Sequence, residues 1–451
     1  MIRLAALAFL ALATACTELP QGQGTTPIRL TFPEMSRFEG SNPGPATRAN
    51  SEMALDFIDL AFRMESGREL QVLSRFEGPV TVRVVGNLPR AAQADLSDLL
   101  QRLRREAGID INFAQGSDAN ISIIAVPRRD LQRVAPNAAC FVVPRVQSWR
   151  ELRAARNTPV LDWASVERRE KAAIFLPSDM PPQEIRDCLH EELAQALGPL
   201  NDLYRLPDSV FNDDNMHTIL TGFDMLMLRV FYASEMRSGM SRAEVEARLP
   251  RVLRRLNPRG ERPGGQIPSA TSRAWQANIE TALGDQARTP LRRQAAARAI
   301  AIGQQQGWTG PREGFGHYIY GRLQIGNDAT LALGAFNAAA RSYRQSSVTE
   351  IQAAHVAAQL AAFTLIAGDA EQTLALTRNA IPAARRHENA ALLAILMMFQ
   401  AEALGLQGKQ DEAMAVRLDS LGWGLYGFGD RDAVIDRLNE IASLTPDKPP
   451  S

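Results

Sequence analysis

Beyond its first residues, no stretch of this 451-residue chain is long and apolar enough to cross a bilayer. The most apolar run, 390–399, ends at Gln400 and Glu402. Net charge is missing as well, because Lys+Arg and Asp+Glu both number 50. A surface without excess positive charge offers little to a phosphate backbone, so nucleic acid is excluded as a main partner. The chain also lacks a P-loop, a G-x-G-x-x-G after a strand, a G-x-S-x-G and a CxxC. Nucleotide binding by those loops, the serine-hydrolase elbow and dithiol redox chemistry all lose their usual sequence signals.

Cysteine is scarce, with three in all. The first, Cys16, ends "MIRLAALAFLALATAC", where Arg3 precedes an apolar run from Leu4 to Ala13 and small residues lead to the cysteine. This resembles a secretory signal with a bacterial lipobox, which would make Cys16 the lipidated first residue of the mature chain. An ordinary signal peptide cut near Ala15 is the alternative. Thr17 follows Cys16 in place of aspartate, which points to the outer membrane, on its periplasmic face. In that oxidising compartment Cys140 and Cys188 are expected to form a disulfide. Two separate buried thiols remain possible, since spacing does not decide between them.

Residues 1–16 therefore read as signal and lipobox, and the Pro/Gly/Ser/Thr-rich 17–50 as a tether. The span 51–254 alternates helical and strand patterns. "SEMALDFIDLAFRM" (51–64) has apolar residues at helical spacing, and "GPVTVRVVG" (78–86) reads as a strand. An amphipathic helix (91–108) and strands at 109–114, 120–126 and 171–177 follow. A helix at 181–198 then opens on prolines and closes at Gly198.

That last helix carries "EELAQALGPLND" (191–202), with Glu191, Glu192, Gln195, Gly198 and Asn201 at the spacing of HExxHxxGxxH, and Asp202 next. "DSVFN" (208–212) stands where an S-[IV]-M-N turn would, with Phe211 for the methionine. "LTGFDMLMLRVFY" (220–232) matches L-T-x-x-D-x-x-x-L-x-x-[LF]-Y through Leu220, Thr221, Asp224, Leu228, Phe231 and Tyr232. Together these motifs resemble the metzincin zinc proteases over roughly residues 75–235. The segment is also similar to a family of uncharacterised bacterial lipoproteins carrying "EELxQALGLxND" and "DSxFND". The resemblance implies an α+β metzincin-like domain whose ligand positions are Glu191, Gln195 and Asn201, with Asp202 alongside. Glu192 falls at the general-base position. One carboxylate and two amide oxygens suit a harder ion better than zinc. No cofactor is expected, with zinc or another divalent metal the alternative.

The register His190-Glu191 fails, because Ala194 occupies the second histidine's place. His217 reads as an exposed loop residue, and Asp208, Asp213 and Asp214 as turn formers. Glu191, Gln195 and Asp202 are expected to form a buried polar network.

After a Pro/Gly-rich linker (255–273), residues 274–451 turn alanine-rich and helical. Gly334, Phe336, Ala339 and Tyr343 fall at the offsets of a tetratricopeptide repeat, and Gly368 and Gly408 with Ala413 continue the pattern. Ala361 and Ala401 occupy the close-approach position, where the first repeat has Asn327. A helix at 431–444 is expected to cap the stack. "SLGWGLYGFG" (420–429) reads as a buried corner, with peptide or glycan binding as the alternative.

The expected function is an envelope lipoprotein acting as a pseudoprotease-plus-repeat scaffold. It would bind envelope proteins or peptides through its repeats and the membrane through Cys16. A hydrolase using Glu192 as general base and a purely structural anchor for the repeats are the competing readings.

Overall fold

The computed structural model describes residues 32–40, 43–136, 138–264 and 269–446. Cys16 and the signal segment lie outside them. The described chain divides into two compact units. One comprises 39–271 with 386–388, and the other 32–38, 272–385 and 389–446. Among the described residues no helix is long and apolar enough to cross a membrane.

The first unit is α/β. After α1 (Asn50–Phe62) come β1 (Val80–Val85), α2 (Arg90–Arg102), β2 (Ile111–Phe113), β3 (Ile121–Val126), α3 (Arg128–Val134), β4 (Phe141–Pro144), α4 (Trp149–Ala155) and β5 (Ala172–Pro177). The helices α5 (Pro182–Leu197), α6 (Gly222–Phe231) and α7 (Arg242–Leu256) complete it. The strand order is β2-β1-β3-β5-β4, with only β4 antiparallel to its neighbour. Both faces of β5 are covered, which explains its unbroken apolar run. Ala172, Ile174 and Leu176 enter the large core shared with α2 and α5. Ala173 and Phe175 enter a smaller core with Leu131 of α3 and Leu152 of α4. The period of two thus feeds one strand into two cores.

Strand β4 carries no sequence expectation, because four residues ending in proline give too little alternation to read. Pro144 is tolerated at an edge, where one side of the strand needs no ladder. Immediately before β4, Cys140 forms a disulfide with Cys188 of α5, the Cα atoms 6.0 Å apart.

The second unit is helical: α8 (Arg273–Leu283), α9 (Thr289–Gln305), α10 (Pro311–Gln324), α11 (Ala329–Tyr343), α12 (Glu350–Ile366), α13 (Ala370–Arg386), α14 (Ala390–Leu406), α15 (Gln410–Phe428) and α16 (Arg431–Ala442). Helices α8/α9, α10/α11 and α14/α15 pack as consecutive pairs. A Thr364–Thr373 hydroxyl contact of 2.7 Å joins α12 to α13. Gly368 and Gly408 lie in the turns after α12 and α14 with φ of 71° and 78°, a conformation that favours glycine. Gly334 does not behave this way. It lies inside α11, whose start is fixed by Asp328, with Oδ1 accepting from the Leu331 N–H at 2.9 Å. The 34-residue step from Gly334 to Gly368 is therefore not a structural period. Helices α12 and α14 instead begin 40 residues apart, as do α13 and α15.

Part of the segment read as a tether is packed. Residues 32–38 lie on the helical unit, and Arg48, just before α1, enters a buried ion network described below.

Candidate functional site

Helix α5 presents the degenerate motif, and its end is held by side chains from two other segments. An α-helix leaves its last four carbonyls without intrahelical partners. Here Arg169 donates to the carbonyls of Gln195 (2.5 Å), Ala196 (2.8 Å) and Gly198 (2.5 Å). The Tyr232 hydroxyl donates to that of Leu197 at 3.0 Å. All four orphans are thereby satisfied. Arg169 is buried, stacks 4.8 Å from the centre of the Trp163 ring, and has no carboxylate partner among the described residues. Burial pulls its guanidinium down to about 10, so it stays charged at neutral pH and complements the helix dipole.

Gly198 ends the helix with φ −164° and ψ −83°, so no left-handed cap is formed. Its need is steric: a Cβ there would stand 2.9 Å from Cγ of Phe231. Arg75 repeats the capping device on α6, donating to the carbonyls of Phe231 (2.8 Å) and Ala233 (3.2 Å).

At the positions that the resemblance would make metal ligands, the structure buries Gln195 and Asn201, with Glu192 and Asp202 beside them, and leaves Glu191 half-buried. The Asn201 amide donates to the Asp59 carbonyl at 3.0 Å, while the Leu200 N–H bonds the Leu60 carbonyl at 3.1 Å. These two bonds fasten the segment after α5 to α1. A catalytic zinc takes three ligands from histidine, cysteine and carboxylate side chains, and a set of one carboxylate with two amide oxygens does not fit it. Among the described residues no group of three or more His, Cys, Asp or Glu side chains is placed to hold a metal ion.

His190 points away from the motif face. Its Nδ1 accepts from the Leu220 N–H at 3.0 Å, and Arg102 donates to the Leu220 carbonyl at 2.9 Å. Burial, then Arg186 and Arg102, hold its imidazole well below the ordinary histidine range, so it is neutral. His217 overturns its expectation, for it is buried and not an exposed loop residue. Its Nε2 lies 3.0 Å from the Pro207 carbonyl, a bond that draws the ring inward.

The turn at 208–212 is built around Asp224. Its carboxylate accepts from Ser209 Oγ (2.5 Å), the Val210 N–H (3.2 Å) and the Thr221 N–H (2.8 Å). Thr221 in turn caps α6, accepting from the Asp224 N–H. Burial pushes the Asp224 carboxyl up to about 7, against the opposing pull of Ser209, Thr221 and Val210. Asp214 serves a local turn, accepting from the Met216 N–H at 3.1 Å.

The sequence reading missed a buried ion network. Arg48 spans Asp56 (2.5 Å) and Asp208 (3.1 Å), and Arg205 spans Asp56 (2.8 Å) and Asp59 (2.9 Å). It ties the segment before α1, α1 itself and the turn together. Arg48 lies in a stretch whose composition reads as linker, so no local signal pointed to it.

Residues 50–251 match a sequence family described as "Protein of unknown function (DUF2927)". No curated protein matches the chain.

Proposed function

We propose that this chain is an envelope lipoprotein that works by binding. Its α/β unit is a metzincin-like pseudoprotease, and its helical unit a tetratricopeptide-like scaffold for envelope proteins or peptides. The observation that carries the reading is the hydrogen bond from Asn201 to the Asp59 carbonyl. It makes the third ligand position a stitch between the site segment and α1. The rest of the motif has non-metal work as well. Gly198 admits Phe231, Asp224 holds the 208–212 turn, and Tyr232 satisfies the Leu197 carbonyl. A packing pattern can keep the spacing of a catalytic motif after its donors have changed.

The sheet order, with parallel strands and one antiparallel edge strand preceding the motif helix, supports the metzincin-like reading. The recurring helix pairs and the left-handed glycines at 368 and 408 support a helical-repeat reading, with a step of 40 residues in place of the 34 of a tetratricopeptide. Lipidation of Cys16 would hold both units at the membrane, and Cys16→Ser should release the protein from it.

The test is metal analysis and thermal melting of protein purified without chelator. Transition metal should be substoichiometric, and chelator should leave the melting curve unchanged. A stoichiometric metal, lost together with a Glu192-dependent peptide hydrolysis, would overturn the reading in favour of an enzyme.

A further inference from the structure

The glycine-rich stretch 420–429 is not a loop. It continues α15 to Phe428, and each of three glycines on it admits a different neighbour. A Cβ on Gly427 would stand 2.6 Å from Cα of Ala391 on α14. One on Gly424 would lie 3.0 Å from a methyl of Val434 on α16. One on Gly422 would meet neither helix. It would lie within 3.1 Å of the Glu34 carbonyl oxygen and closer still to Ser36 Oγ. The first two glycines serve helix packing, whereas the third makes room for an extended segment of the chain.

That segment, residues 32–38, is seated by contacts of three kinds. The Ser36 N–H donates to the Gly422 carbonyl at 3.0 Å. The Phe38 ring lies 4.5 Å from that of Trp423, and Arg385 stacks on the same indole at 5.5 Å. Arg431 of α16 covers the Phe32 ring at 5.3 Å. Pro33 biases Phe32 at the head of this strap towards extended backbone.

We propose that the face of the helical unit formed by Gly422, Trp423, Arg385 and Arg431 is a site for extended peptide, and that residues 32–38 are its built-in occupant. The ligand class is an extended segment with two aromatic side chains six residues apart and a free backbone N–H between them. A partner peptide of that pattern competes with the strap for the same face. A backbone bond and two ring contacts fix orientation without a deep pocket, as in other modes that bind extended peptide. The proposal deepens the scaffold reading and rests on it for a partner in trans. Its test reads peptide at α15 alone, so its failure would leave partner capture elsewhere on the helices untouched.

The probe is a fluorescent peptide of residues 30–40, titrated into the full mature chain and followed by anisotropy. In the wild type the tethered strap should keep the peptide out, because an intramolecular ligand acts at high effective concentration. Phe32→Ala with Phe38→Ala should raise the affinity by about ten-fold or more, and adding Gly422→Val should abolish binding. A folded double variant that binds the peptide no better than the wild type overturns the proposal. Should the double variant fail to fold, Gly422→Val alone decides, read by trypsin cleavage after Arg37 with helical content followed in parallel. Faster cleavage in a chain that keeps its helices supports the site, and cleavage at the wild-type rate overturns it.

Discussion

A methyl group on Gly198 would sit 2.9 Å from the Phe231 ring, well inside carbon–carbon contact, so α5 and α6 meet there only through glycine. Gly198→Ala should cost about 1–3 kcal/mol in urea unfolding, partly recovered by Phe231→Leu, as overpacking is relieved by removing volume. Arg169 belongs to the same helix end but was invisible in the sequence. It stands in the run Glu167-Arg168-Arg169-Glu170-Lys171, which composition assigns to solvent, and only the fold turns one of its charges inward. Arg169→Met should destabilise by about 3 kcal/mol, since buried carbonyls lose their donors. Arg169→Lys should recover little, one ammonium being unable to span three carbonyls. His190 sets a pH dependence. Its folded value lies well below the ordinary 6.5, chiefly through burial, then through Arg186 and Arg102. The stability tied to its neutral form is therefore complete above that value and is lost as pH falls below it. Between about pH 7 and pH 5 this loss is opposed by Asp224, whose carboxyl burial raises to about 7 and which favours the fold as pH falls. The His190 share is therefore read as the change in slope of melting temperature against pH on His190→Gln, which should also lower the whole curve. An unchanged slope in the variant would remove His190 from the account.

Among the elements, those with several turns of clear periodicity were legible and the short ones were not. The motif helix α5 and strands β1, β3 and β5 stand where apolar spacing put them, within a residue or two. Helix α2 starts as expected but gives way after Arg102 to a wider π turn over Leu103–Ala107. Strand β4 has four residues, and its place is settled by pairing with β5, a long-range fact that local pattern does not hold. In the helical unit Gly334 shares its motif offset with Gly368 and Gly408, yet it lies inside α11, which the Asp328 cap starts earlier, while the other two lie in turns. The disulfide links a weakly patterned element to a strongly patterned one, closing a separation of 48 residues between the edge of the sheet and the motif helix. Replacing both Cys140 and Cys188 by alanine should cost about 2–5 kcal/mol. Thiol labelling of the denatured, unreduced protein should find neither cysteine, and labelling of both would refute the bond.

At the scale of the molecule, the described chain begins in the helical unit at residue 32, leaves it after Phe38 for the α/β unit, and returns at 272. Composition suggested a simpler layout, with a tether, one domain, a linker and then the other. It misled because a strap of seven residues holding two phenylalanines is too short to alter the average of a Pro/Gly/Ser/Thr-rich segment. Helices 272–451 produced alone lack that strap and should melt below a form in which residues 30–40 are supplied as peptide, measured by circular dichroism. A peptide without effect on the melt would mean that the helices close without it. The strap also imposes an order in time. The Gly422 carbonyl that receives Ser36 is made 386 residues after it (422 − 36). At about 5–20 residues per second the strap waits roughly 20–80 s for its seat. For that long residues 32–38 have no seat. A protease that cuts after Arg37 meets them as open polypeptide, and the closing of the strap marks the moment at which that access ends.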